Sequence, residues 1–166
     1  MNIDKLKAQL TLEEGERLLG YVVKVIKAGV MRERIAPGAF TRTIKEGGPV
    51  YALFNHNPDY IIASTKNGSL RLSEDKTGLV AEMEPMDTTT IRDLVIKPMQ
   101  DGLLNKMSFG FQTVKDEMDS DKQGPVRVLR DVDLFDVSPV TFPAYEGTDV
   151  QARIGAGRTA EVRQAA

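Results

Sequence analysis

The feature that most constrains this chain is how often its apolar runs are interrupted. Short stretches rich in β-branched and aromatic residues are cut by Gly47-Gly48-Pro49, Asn57-Pro58-Asp59, Asn67-Gly68 and Lys76-Thr77-Gly78. Each of these favours a turn through a preset φ, a positive φ or a short side chain that caps its own backbone. Only two or three segments carry helical spacing, and they do not alternate regularly with the strands. No regular βαβ rhythm is visible. The expected fold is α+β, a mostly antiparallel, barrel-like core with two or three flanking helices.

Residues 17–26 read as one buried strand, and residues 50–56 as another. Alternation along the second places Val50, Ala52, Phe54 and His56 on one face. Between them, Pro37, then Phe40 and Ile44 four apart, with Gly47 beyond, predict a short helix. Residues 60–65, 69–73 and 79–84 predict a three-strand meander, its first two strands joined as a tight hairpin by Asn67-Gly68. Asp87 or Thr88 caps a helix that Pro98 kinks or ends near Ile96. Residues 105–114 and 126–140 are the last strands, the second bulged around residues 131–133, with 115–125 a charged loop between them.

With 166 residues the chain suits one domain with a proper core. Residues 1–15 read as a polar leader, 16–150 as the folded domain and 151–166 as a mobile tail. A net charge of −2 gives no electrostatic case for nucleic acid or an anionic membrane. No apolar stretch approaches a membrane span, and residues 1–12 lack the apolar middle of a secretory signal. Cysteine is absent and histidine occurs once, which removes thiol nucleophiles and makes a structural zinc site improbable. Asp116, Glu117, Asp119 and Asp121 lack the turn glycine of a calcium loop and read as a solvated acidic stretch. No cofactor or metal is expected.

That single histidine, His56, stands in Leu53-Phe54-Asn55-His56-Asn57. Imidazole is the side chain best suited to take a hydroxyl proton near neutral pH, although a lone histidine at a strand end also serves as a hydrogen-bonded structural residue. Ser108 lies in Met107-Ser108-Phe109-Gly110-Phe111. Its aromatic neighbours alternate onto one face and Ser108 onto the other. Gly110 leaves room there for another backbone to approach. An ordinary solvent-facing serine beside a bulge glycine would look the same. Asp136 is set among Leu134, Phe135 and Val137. Alternation puts it on one face with Val132 and Leu134, where a carboxylate needs a partner such as His or Arg. Asp131 and Asp133 are rival acids. No Gly-x-Ser-x-Gly elbow is present, which argues against an α/β-hydrolase.

The order of these segments resembles the prohead (capsid-maturation) serine proteases of tailed bacteriophages and, more distantly, the herpesvirus assemblins. The matching stretches are Gly20-Tyr21, Glu33-Arg34-Ile35-Ala36-Pro37-Gly38-Ala39-Phe40 and the run around His56. Gly78-Leu79, the run around Ser108, Leu134-Phe135-Asp136-Val137-Ser138 and Val140-Thr141-Phe142-Pro143-Ala144 follow in the family's order. The resemblance implies an assemblin-like fold with Ser108 as nucleophile, His56 as general base and Asp136 as third member, where the family usually has Glu. It further implies a host-cytoplasmic protein packed into the prohead interior, acting on capsid and scaffold proteins and on itself, with a homodimer compatible. The competing function is a non-catalytic capsid-assembly protein of the same fold.

Overall fold

The computed structural model describes residues 17–22, 25–28, 31–75, 78–143 and 149–153. In chain order its strands are β1 (Arg17–Val22), β2 (Val25–Ala28), β3 (Met31–Ile35), β4 (Tyr51–Phe54) and β5 (Asn57–Ser64). They continue with β6 (Leu70–Glu74), β7 (Leu79–Met83), β8 (Lys106–Asp121), β9 (Gly124–Val140) and β10 (Asp149–Arg153). Helix α1 (Thr41–Glu46) precedes β4. Helix α2 precedes β8 and joins Thr89–Ile91, a π-helical turn Arg92–Ile96, and Lys97–Gln100.

The strand that organises the molecule is β9. One edge pairs antiparallel with β8 along nearly its whole length. The other edge is satisfied piece by piece, because a buried backbone group left unpaired is costly. Arg127 to Leu129 pair in parallel with β3. Beyond them, Ala36 N–H donates to the Leu129 carbonyl, and Val132 N–H donates to that of Ala39. Leu134 N–H donates to the hydroxyl of Thr43, buried on α1. Next β4 joins in parallel, Tyr51 opposite Asp136. Finally Asn55 N–H donates to the Pro139 carbonyl. The stretch from Ala36 to Thr43 thus fills the gap between two strands that could not both reach β9.

With β2 beside β3 and β5 beside β4, this makes a sheet of six strands, order β2-β3-β9-β4-β5, with β8 on β9. A second sheet of four runs β10-β1-β7-β6, every pair antiparallel. One apolar cluster joins them: Leu70, Leu79, Ala81 and Met83 from the small sheet meet Ile62, Met107, Phe109, Leu129 and Val137 from the large one. Ile91, Val95 and Ile96 of α2 pack into the same core. Phe109 sets its ring edge-on to Phe40 and stacks on Phe111.

The α+β reading stands, with strands predominant, but the described residues form two sheets and close no barrel. The meander is corrected too, since β5 and β6 lie in different sheets. Asn67-Gly68 makes a corner rather than a hairpin: a 3-10 turn at Thr65–Asn67 ends on Gly68 at φ 77°. The run expected as one strand at residues 17–26 is divided, β1 going to the small sheet and β2 to the large one. Pro98 does not end α2. The wider π turn ahead of it takes up the missing donor and the ring, and the helix continues to Gln100. Thr88 caps the helix as expected, its Oγ1 accepting from Ile91 N–H.

The charged loop of residues 115–125 is largely strand, because β8 runs to Asp121 and β9 starts at Gly124. β10 runs to Arg153, into the segment expected as tail. The leader and residues 154–166 fall outside the described residues.

Candidate active site

His56 does not sit in a strand. Phe54 pairs with Asn57 across the β4–β5 hairpin, so Asn55 and His56 are its two turn residues, at φ 51° and 59°. Positive φ at both central positions is the turn whose twist suits a tight hairpin, and Asn and His tolerate it better than most residues. The expected placement beside Val50, Ala52 and Phe54 is therefore corrected: the backbone turns before His56. Asn55 fastens this turn to the end of β9. Its N–H donates to Pro139 O at 3.0 Å, and its Oδ1 accepts from Thr141 N–H at 2.9 Å.

Asp136 is set by a β-bulge. Gly110 stands opposite Asp136 while Phe111 stands opposite Leu134, which leaves Phe135 as an extra, exposed residue on β9. A bulge bends its strand and re-aims the neighbouring side chain. Core-facing positions accordingly jump from Val132 and Leu134 to Val137. Asp136 does not share their face, as strict alternation would require. It turns out of the core toward the β4–β5 turn.

There His56 Nδ1–H donates to Asp136 Oδ1 at 2.6 Å, a charge-assisted length. Because a carboxylate only accepts, Nδ1 carries the proton and Nε2 is the free base. The side chains are 39% and 15% exposed, so the pair lies at the surface with the acid better covered. Asp136 holds the imidazole pKa above its ordinary value, first through this hydrogen bond and also through its charge, against partial burial. The same Oδ1 accepts from Ser138 Oγ–H at 2.5 Å. The rival acids are engaged elsewhere: Arg42 donates to Asp131 at 2.8 Å and to Asp133 at 2.5 Å.

Ser108 lies on β8 directly opposite Ser138. Met107 and Phe109 face the core, and Ser108 faces away from it, as the alternation predicts. It is nonetheless only 2% exposed, not a solvent-facing serine. Among the described residues no hydrogen bond joins Ser108 to His56. The structure thus brings His56 and Asp136 together and leaves Ser108 on the neighbouring strand, two residues from Gly110, which stands opposite Asp136. Such bonds are often long without substrate and tighten only in the complex. Gly110 does make room for a close approach, but what approaches is a carboxylate: a Cβ there would lie 2.2 Å from Asp136 Oδ2.

A histidine oriented by a carboxylate can take a proton from an alcohol brought to its free nitrogen. The family model described as caudovirus prohead serine protease matches residues 4–163. The chain belongs to this family. No curated protein matches it. As a prohead serine protease it takes capsid and scaffold proteins as its general class of substrate. Among the described residues no helix is long and apolar enough to cross a membrane.

Sequence reasoning missed Ser138 beside this pair and the binding of Asn55 to the end of β9. Ser138 had a legible signal, since two residues on from Asp136 it shares that side of the strand. Asn55 had a weaker one, because Asn is the residue most at ease in a left-handed turn.

Proposed function

We propose that this prohead protease cleaves peptide bonds through an acyl-enzyme formed on Ser108. His56 Nε2 takes the Ser108 proton as Oγ attacks the substrate carbonyl, then delivers it to the leaving amine. Water hydrolyses the ester by the same route in reverse. Asp136 fixes the Nδ1–H tautomer and stabilises the imidazolium. The observation that carries this reading is the 2.6 Å contact between Asp136 and the sole histidine of the chain. No second base of this type exists for a competing assignment.

The substrates on this reading are scaffold, the delta segment of the capsid protein and the protease itself, inside the immature shell. Packing in the shell raises effective concentration, so modest activity suffices. The assemblin-like core and a homodimer belong to the same reading. A fluorophosphonate probe tests it: labelling maps to Ser108 and is lost in His56→Ala. Labelling at another serine, or persistence in that variant, removes the assignment. Intact mass over time then tests self-trimming, which Ser108→Ala should abolish.

A further inference from the structure

Asp136 is held by more than its imidazole partner. Its Oδ1 receives two donors, His56 Nδ1–H at 2.6 Å and Ser138 Oγ–H at 2.5 Å. Its Oδ2 lies where the side chain of residue 110 would be, over a glycine. Ser138 is completely buried and Gly110 is opposite Asp136 in the β8–β9 ladder. Gly110 is not among the residues at positive φ, so its backbone does not require glycine; the space does.

We infer that Gly110 and Ser138 form a seat that fixes the reach of Asp136 to His56, and that both are positioning residues for the proton transfer. A short carboxylate on a bulged strand has two free rotations, and each wrong rotamer takes it off the imidazole. The Ser138 hydroxyl fills the second lone-pair direction of Oδ1 and pins the group from the buried side. The empty position at Gly110 lets Oδ2 swing inward while Oδ1 meets His56. With any side chain at 110, the carboxylate must leave. The inference rests on His56 and Asp136 acting as proposed above, but its test does not depend on catalysis.

The one histidine gives one imidazole signal in NMR, so His56 can be titrated directly in the full chain. Ser108→Ala serves as background to suppress self-cleavage. Adding Gly110→Ala should bring the His56 pKa down to its ordinary value of about 6.5 and remove the downfield Nδ1–H resonance. Adding Ser138→Ala instead should lower the pKa part of the way, and Ser138→Thr, which keeps the hydroxyl, should restore it. With Ser108 intact, Gly110→Ala should lower kcat about 100-fold with KM unchanged. Ser138→Ala should lower it about tenfold, the size of one hydrogen bond to a charged group.

An unchanged His56 titration in either alanine variant overturns that residue's part in the seat. So does a rise in Ser138→Ala, which would mean that the hydroxyl competes with His56 for Oδ1. If Gly110→Ala fails to fold, the Ser138 pair of variants decides the matter alone. Should the titrations shift as stated while Ser108→Ala still cleaves, the seat survives and the nucleophile assignment fails.

Discussion

The β8–β9 ladder has two halves that share one hydrogen-bonding pattern and little else. Near the site, Met107, Phe109, Val132, Leu134 and Val137 are buried in the common core, and Ser108 and Ser138 are covered on the opposite side. Further out, residues 114–121 of β8 are exposed throughout. That arm is laced by ion pairs: Arg32 to Asp121 and Arg34 to Asp119 run from β3, and Arg127 holds both Glu33 and Asp116. Arg130 pairs with Glu117. Exposed pairs of this kind contribute little. A three-residue apolar cluster, Ala36, Val126 and Val128, is the arm's only separate core among the described residues. Precision in this ladder comes from burial, and charge supplies solubility and shape.

The largest effects are expected at the chemistry. His56→Ala or Ser108→Ala should reduce kcat/KM by at least about 10⁴-fold, with Asp136→Asn close behind through loss of the correct tautomer. Circular dichroism should show all three folded. A surviving rate within tenfold of the parent would mean that the inner half holds no triad.

Next in size is packing. Phe109→Ala should cost about 3–5 kcal/mol in chemical denaturation, because it empties the contact with Phe40 and Phe111. Met118→Ala on the arm should stay within about 0.5 kcal/mol. Equal losses at the two positions would mean that the two halves of the ladder pack alike.

A smaller effect concerns pH. The folded His56 pKa is raised, so its contribution to stability is fully present below the unfolded value of about 6.5 and fades as pH rises through the folded one. Denaturation midpoints should therefore fall across that window relative to Asp136→Asn, which should lose this component. A flat difference between the two proteins would show that the pair is not formed in solution.

The smallest effect belongs to the arm. Arg130→Ala or Asp119→Ala should leave both melting temperature and cleavage rate unmoved. A lost rate with intact stability would make the arm part of substrate recognition.

Much of the inner half was legible in the sequence and little of the arm was. Alternation of Met107, Phe109 and Phe111 revealed a core face because one side of that strand is buried. Residues 115–121 have no such contrast, since both faces meet water, so strand and charged loop look alike. Ser108 faces away from the aromatic side of its strand as alternation predicts, but the placement of His56 and Asp136 was not readable. Strict alternation put His56 in a strand and Asp136 on the core face. Two local irregularities, a left-handed turn and one extra residue, overrode both expectations. Such features are decided by tertiary pairing: Asn55 binds the end of β9, which is 84 positions away at Pro139 (139 − 55). A window of neighbouring residues contains no trace of that partner.

The extra residue at Phe135 also makes the length of this strand a chemical parameter. Excising that one phenylalanine would close the register shift between Gly110 and Phe111, and the side chains on one side of it would have to exchange faces. Either the acid would be driven into the oily interior, or Val132 and Leu134 would be expelled from it. An insertion elsewhere along the ribbon could slide harmlessly into the solvent-exposed tip, but here the spacing itself decides which face Asp136 takes.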